Sequence, residues 1–170
     1  MAFRRLKELG TYLRAVEESV ATGAARRSAE RIVKELQEEG PAWSGTFRNS
    51  WRIVPGDQSV PATIAAPPYK PGDKRPEAIK PAPVKVPPLG FGFRANRGPL
   101  GQKPGGVLYT IGNASRHRLI AMDLVPGRSQ PGTAKRDDWF ETYMRGGGFR
   151  KAVQASLDAA IADARKVRPQ

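Results

Sequence analysis

Carboxylates are the side chains in this sequence that are most capable of catalysis, because a suitably placed pair can act as general acid and base. One group of them recurs at helical spacings, which predicts a solvated helix face: Glu17, Glu18, Glu35, Glu38 and Glu39. Asp137 and Asp138 stand directly before Trp139, where negative charge favours the start of a helix. We interpret both groups as structural rather than as a catalytic pair.

The other residue types used in catalysis are scarce. The chain has no cysteine and one histidine, His117, in a basic R-H-R that is typical of a solvated strand or turn. This excludes disulfides, thiolate chemistry and cysteine zinc sites, and it leaves little for a histidine metal cluster or a Ser-His-Asp triad. The R-G-G-G-F at 145–149 lacks the G-x-x-x-x-G-K-[ST] phosphate loop, so it predicts a break between two helices. We expect no enzyme activity, no cofactor and no metal.

The net charge of +13 indicates an acidic partner, which can be nucleic acid, an anionic surface or an acidic protein face. Three neighbouring pairs could stack bases, namely Phe47–Arg48, Phe93–Arg94 and Phe149–Arg150. Such pairs also occur wherever a core meets solvent, and no known nucleic-acid-reading motif accompanies them. A basic nucleic-acid-binding protein is therefore the alternative interpretation.

Helical spacing dominates both ends of the sequence. Apolar residues at three- and four-residue steps predict one long helix over 3–39, with a kink near Gly23 and an end at Gly40-Pro41. W-F-E-T-Y-M predicts a short helix. The terminal helix is predicted by an apolar stripe, made of Phe149, Val153, Leu157, Ala160, Ile161 and Ala164.

Short strands are predicted between the helices. Trp51–Val54 reads as a strand closed by P-G-D, and Ser59–Ala65 as its hairpin partner, with Pro61 marking an edge. V-L-Y-T-I-G-N, from Val107 to Asn113, predicts another strand, and R-L-I-A-M-D-L-V a strand or a short helix. The expected fold is α+β: the long N-terminal and C-terminal helices pack on a small antiparallel sheet in one domain, 1–170.

Residues 66–105 differ in character, with proline and glycine throughout. We expect an inserted extended arm with partial polyproline conformation. Its lysines would stay in solvent, and its apolar residues would bury against a partner subunit. The predicted interface residues are Tyr69, Val84, Val86, Leu89, Phe91 and Phe93.

The segment P-A-W-S-G-T-F-R-N-S-W predicts a structural corner that joins the long helix to the first strand. Pro41 ends the helix and Trp43 folds back on it, Ser44 caps a short turn, and Gly45 permits a tight backbone. Phe47 and Trp51 are four residues apart and should share one buried face, with Arg48 and Asn49 outward. Ser50 completes the motif before Trp51.

This corner resembles a pattern close to P-x-x-[ST]-G-x-[LF]-R-x-S-[WI]. That pattern is found in the neck, or tail-completion, proteins of long-tailed bacteriophages, the minor-tail-protein Z-like group. The matching residues are Pro41, Ser44, Gly45, Phe47, Arg48, Ser50 and Trp51. The family usually has an acidic residue and threonine before the glycine, where this chain has Trp43-Ser44.

A second landmark, I-G-N-A-S at 111–115, resembles the family's strand that ends in an Asn-rich turn. The tyrosine and E-x-G that usually follow are missing between His117 and Asp123. The resemblance covers residues 20–65 well and 106–125 weakly. At the terminal helix it extends only to the presence of a helix. The arm has no counterpart.

The resemblance implies a structural virion protein of the head–tail junction, without catalysis. It would form a ring with six- or twelve-fold symmetry, joining the portal-side connector protein to the tail terminator or tail tube proteins and aiding tail attachment. Non-specific contact with packaged DNA fits the charge. No stretch approaches the roughly 18 apolar residues of a membrane span, and M-A-F-R-R-L-K-E-L-G lacks a signal-peptide core. We therefore expect no membrane contact, with assembly in the host cytoplasm.

Overall fold

Two long helices, α1 (Leu6–Glu39) and α5 (Gly148–Lys166), pair along the molecule and support a small sheet. The computed structural model describes residues 6–40, 46–56, 58–65, 80–88, 109–122 and 139–166. The remaining elements are α2 (Thr46–Asn49), β1 (Trp51–Pro55), β2 (Tyr109–Asn113), α3 (Arg118–Ala121) and α4 (Trp139–Arg145). Helices packed with a two-stranded antiparallel sheet confirm the predicted α+β class.

Helix α1 runs unbroken through Gly23, as predicted for one long helix, and the kink expected there stays a prediction. An added Cβ at Gly23 would lie 3.9 Å from the Cβ of Ala160, which shows that α5 approaches α1 closely at this point. At the other end, the hydroxyl of Tyr143 in α4 donates to Glu35 at 2.9 Å. Helix α5 therefore runs antiparallel to α1, starting near the C-terminal part of α1 and running back toward Gly23.

Gly40 ends α1 at a crowded position. A Cβ there would lie 2.8 Å from the Leu36 carbonyl oxygen and 3.0 Å from the Phe47 ring, too close for any other residue to fit without a shift. The Gly40 N–H donates to that same carbonyl at 3.0 Å, closing the last turn. The predicted helix end at this glycine is confirmed.

The sheet pairs β1 with β2, in a register that runs from Trp51 opposite Asn113 to Pro55 opposite Tyr109. The predicted hairpin between Trp51–Val54 and Ser59–Ala65 is therefore wrong. Residues 58–65 contribute one parallel bridge, Ile64 with Ser115. Pro61 has no N–H for a ladder, and the Val60 side chain lies over Gly112, where an added Cβ would come within 2.7 Å of it.

The C-terminal elements follow the predicted order. R-L-I-A forms the short helix α3, the helix predicted for W-F-E-T-Y-M is α4, and the terminal helix is α5. The glycines at 146–148 break α4 from α5, with Gly147 at a φ of 95°. Asp137 and Asp138 lie outside the described residues.

The core lies where α1, the corner, the sheet and α4 meet. Its buried residues are Ala29, Ile32, Val33, Leu36, Phe47, Trp51, Ile53, Ala121, Trp139, Tyr143 and Ala152. The face that α5 turns inward is made of small residues, Ala152, Ser156 and Ala160. The larger residues of the predicted stripe differ from expectation, since Phe149, Val153 and Leu157 each keep over a third of their surface exposed.

Candidate functional site

The corner brings three aromatic rings together in the core. Phe47 meets Trp51 edge to face, with ring centroids 5.6 Å apart, and meets Trp139 at 6.0 Å. Both Phe47 and Trp51 are almost fully buried. Pro41, Trp43, Ser44 and Gly45 of the same motif lie outside the described residues. Because its ring is inside the protein, Phe47 has no face free to stack on a base.

Arg48 and Asn49 were expected to face solvent, but both are partly buried and hold backbone groups. The Arg48 guanidinium donates to the Gly40 carbonyl from Nε at 3.3 Å and from Nη2 at 3.2 Å. A cation at a helix C-terminus satisfies its free carbonyls and complements its dipole. Arg48 therefore caps α1, which gives the arginine of the corner motif a structural role.

A buried polar joint connects the corner to I-G-N-A-S. The side-chain amide of Asn113 donates to the Phe47 carbonyl at 2.9 Å, and its oxygen accepts from the Ser115 N–H at 2.9 Å. The Ala114 N–H donates to the Ser50 carbonyl at 2.8 Å. Asn113, Ser50 and Ser115 are each at most 2% exposed. The two segments that carry the family resemblance thus form one structural unit.

Arg118 ties a further segment to this joint. Its Nη1 donates to the Val60 carbonyl at 2.6 Å and to the Asn113 carbonyl at 3.0 Å. The Ile64 N–H donates to the Ala114 carbonyl at 2.8 Å. Residues 58–65 are held in this way without forming a strand. His117, in the same turn, is partly buried, and its backbone N–H donates to Ser115 Oγ at 3.3 Å.

Residues 80–88, which we call the docked segment, lie against the core of their own chain. Val84 and Val86 are partly buried against it. Gln37 Nε2 donates to the Ala82 carbonyl at 3.0 Å, and the Ala82 N–H donates to Asn49 Oδ1 at 2.8 Å. These two valines therefore pack on their own chain, and their burial against a partner subunit stays a prediction. The other predicted arm residues, Tyr69, Leu89, Phe91 and Phe93, lie outside the described residues.

An open apolar groove runs between α1 and the start of α5, with a volume of about 690 Å³. Sheet residues and α4 complete its walls. Its lining comprises Ala24, Ala25, Ser28, Ala29, Ile32, Leu36, Trp51, Tyr109, Ile111, Phe140, Met144, Phe149, Val153 and Leu157. Phe149, Val153 and Leu157 form a row at i, i+4 and i+8 along one wall. The half-exposed stripe of α5 is therefore one side of this groove.

Polar groups in the groove wall are few. Trp51 lines it, and the buried indole N–H of Trp51 has no hydrogen-bond acceptor in the described part of the chain. Burial raises the pKa of the Tyr109 hydroxyl, and the nearby Arg26 opposes that shift. The Tyr109 hydroxyl donates to the Pro87 carbonyl at 3.0 Å, so the docked segment passes along the groove's edge. A groove of this composition suits an apolar helix or peptide face.

Within the described ranges, no group of three or more His, Asp or Glu side chains could hold a metal ion. Among the helices that the structure describes, none is long and apolar enough to span a membrane. The functional features available for interpretation are therefore the joint, the docked segment and the groove. Sequence reasoning missed Gln37 and Arg118, because each binds a segment far away in sequence and no local pattern marks either one.

Comparison with known proteins gave no relationship: no family model matches the chain, and neither curated proteins nor solved structures gave a significant match.

Proposed function

We propose that this protein is a structural subunit of the neck of a long-tailed bacteriophage. In this role it assembles as a ring at the head–tail junction, between the portal-side connector and the tail terminator or tail tube. It acts by binding its neighbours, without catalysis. The basis of the proposal is the resemblance of the corner and of I-G-N-A-S to the neck-protein family.

One observation carries the proposal furthest. The two resembling segments are separated by some sixty residues of sequence, yet the Asn113 side chain joins them through Phe47 and Ser115. A chance match of two short patterns would not require them to meet. The buried hydrogen bonds that join the two segments support the view that both belong to one family feature. The missing E-x-G after the second landmark is the main departure from the family pattern.

The arm remains part of the proposal, in narrower form. Residues 80–88 are docked on their own chain, so the segments proposed to reach neighbouring subunits are 66–79 and 89–105. Removal of the whole arm would also remove Val84, Val86 and the Gln37 bond to Ala82, and would disturb the fold itself. The test therefore replaces 89–101 with a short Gly-Ser bridge and keeps the docked segment. We expect a folded protein that no longer assembles, and normal assembly would contradict the arm's role.

The function is tested in the phage that encodes the protein. A nonsense mutation in this gene should give DNA-filled heads and separate complete tails, visible by electron microscopy. Adding purified protein to that lysate should restore joined particles. Virions that assemble and infect normally without the protein would overturn the proposal. A matched stock with the nonsense codon suppressed provides the control for the genetic background.

The nucleic-acid-binding alternative is favoured by the net charge of +13. It predicts co-purification with nucleic acid and an affinity that falls steeply with salt, since binding releases counterions. A neck subunit should instead assemble after nuclease treatment. Binding of the protein to duplex DNA, measured by fluorescence anisotropy over a range of salt concentrations, tests the nucleic-acid-binding function. Assembly of the nuclease-treated protein tests the neck function.

A further inference from the structure

The docked segment lies on the surface of its own chain, in contacts that it can leave without breaking the fold. All nine of its residues are partly or largely exposed, and Val84 and Val86 pack against the core from outside. Its described hydrogen bonds join its backbone to the side chains of Gln37, Asn49 and Tyr109. Release of the segment would therefore break neither the pairing of β1 with β2 nor any helix.

Those three side chains form a docking site for extended backbone. Gln37 of α1 and Asn49 of α2 bind the carbonyl and the N–H of one and the same residue, Ala82. The hydroxyl of Tyr109 in β2 donates to the Pro87 carbonyl at 3.0 Å. Four of the nine residues of the segment are prolines, which restrict the backbone to extended conformations. Any copy of residues 80–88 can make these contacts, because they involve backbone groups of a proline-rich segment.

The fourteen residues before the docked segment are far more than their gap requires. The Ile64 N–H donates to the Ala114 carbonyl, and the Ala114 N–H donates to the Ser50 carbonyl, each at 2.8 Å. Asn49, the neighbour of Ser50, accepts from the Ala82 N–H. Both ends of the connection therefore lie at the corner, whereas fourteen residues can extend to about 43 Å.

The twenty residues after the docked segment have the same surplus. They join Pro88 to Tyr109, although the Tyr109 hydroxyl already contacts the Pro87 carbonyl. The gap is thus little more than the length of one tyrosine side chain, whereas twenty residues can extend to about 60 Å. A small domain is about 30 Å across. Both connections are long enough to carry the segment to the same site on an adjoining copy.

We propose that the docked segment is exchanged between subunits, so that residues 80–88 of one copy occupy the Gln37–Asn49–Tyr109 site of the next. The exchange replaces each contact within the chain by the same contact between chains, so its cost is mainly the entropy of the longer closure. Each copy gives one segment and receives one, so the contact can repeat from subunit to subunit. The inference names a subunit contact of the proposed neck ring and rests on that function only for ring closure.

Concentration decides which site the segment occupies. A tethered segment meets its own site at an effective concentration on the order of 1 mM. In dilute solution its own site is therefore occupied, as in the described structure. A ring holds the neighbouring site at a comparable effective concentration. Exchange should accordingly appear in the ring, or in purified protein that refolds at about 1 mM.

The test uses cysteine pairs, since the chain has no cysteine of its own. Asn49→Cys and Ala82→Cys place two thiols where the Ala82 N–H now donates to Asn49 at 2.8 Å. A chain with both substitutions should form a disulfide within itself when dilute, which establishes that the pair is close enough to join. Two chains with one substitution each are then unfolded in urea, refolded together at about 1 mM and oxidised. We expect a disulfide between the two chains, located by mass spectrometry to positions 49 and 82.

The matched control replaces Asn49→Cys with Leu119→Cys, because Leu119 is 50% exposed and lies on α3, outside the docking site. That mixture should give no comparable link to position 82. Circular dichroism confirms that each variant is folded. If the double variant forms no disulfide, a short bismaleimide joins the same thiols in every sample.

A double variant that links 49 to 82 within one chain, combined with a mixture that gives no link between chains, would overturn the inference. So would a control mixture that links as readily as the test mixture. The experiment needs no other phage component, so its failure leaves the neck function open, with another surface joining the subunits. Failure of the virion test, in turn, leaves the exchange between copies standing.

Discussion

The side chain of Asn113 donates a 2.9 Å hydrogen bond to the backbone carbonyl of Phe47, 66 residues earlier in the chain. Both residues are buried, and Asn113 also accepts from the Ser115 N–H. We expect Asn113→Ala to lower the free energy of unfolding by about 1–3 kcal/mol, because it leaves the buried Ser115 N–H without its acceptor. The Phe47 carbonyl loses one of two bonds and keeps the one from the Ser50 N–H at 3.1 Å. Urea denaturation monitored by tryptophan fluorescence measures the change.

Asn49→Ala serves as the comparison for that variant. Asn49 accepts one bond, from the Ala82 N–H, at a more exposed position. Its removal should cost about 1 kcal/mol or less. Equal losses from the two substitutions would contradict the central role assigned to the joint.

Trp51 anchors the corner, and its replacement tests how much of the fold depends on that anchor. Trp51→Ala should cost about 3–5 kcal/mol, as expected for a large core side chain. Trp51→Phe should cost distinctly less, since the ring volume is partly kept and the indole N–H has no acceptor to lose. Thermal melts of the two variants give the ordering. A Trp51→Ala protein that melts like the parent would show that the aromatic cluster is dispensable.

Gln37 holds the docked segment against the core through hydrogen bonds. Its side-chain amide donates to the carbonyls of Arg48 and Ala82 at 2.9 and 3.0 Å, from a position only 4% exposed. Gln37→Ala should release residues 80–88 and speed tryptic cleavage after Lys85, measured by mass spectrometry of timed digests. Gln154→Ala is the matched control, because Gln154 is exposed and its amide donates to Asp158 of its own helix at 2.9 Å. Faster cleavage in the control as well would mean that the effect is global.

Asp163 gives a prediction for pH. Hydrogen bonds from Arg27, and then from Lys166, lower the pKa of its carboxyl below the ordinary 3.8. A lowered pKa in the folded state means that the pair stabilises the fold above the unfolded pKa, and that this contribution is lost as the pH falls through the folded value. Asp163→Asn should therefore reduce the Tm slightly near neutral pH, with a difference that disappears in acid. A difference that grows toward acid would contradict this assignment.

The helices could be predicted from the sequence because their apolar residues recur with a helical period, as in α1 and α5. The buried face of α5 could not. Large side chains such as Phe149 and Val153 were expected inward, whereas the close approach to α1 at Gly23 admits only small residues. Ser156 fits there because its hydroxyl bonds the Ala152 carbonyl at 2.7 Å and so leaves no polar group unsatisfied.

The sheet partner was mispredicted for a different reason. Local alternation identifies a strand but does not say which distant strand completes the ladder. The sequence pattern favours the nearest apolar run, around Val60, as the partner, although Pro61 weakens it as a strand. The candidate sites could likewise be predicted only where they depend on local sequence. Phe47 and Trp51 lie in the core, as expected of the corner. The groove could not be predicted, because it forms only when α5 packs on α1.

The pairing of β1 with β2 also affects the order in which the chain can fold. Trp51 emerges from the ribosome long before Asn113, so the nascent corner must wait with one edge of β1 unpaired. Closing so long a connection is entropically costly, and contacts distant in sequence slow folding. We therefore expect the aromatic cluster of Phe47, Trp51 and Trp139 to form only after the second half of the protein has been synthesised. Until then the apolar side chains of the first half should stay exposed, the condition under which chaperones assist folding.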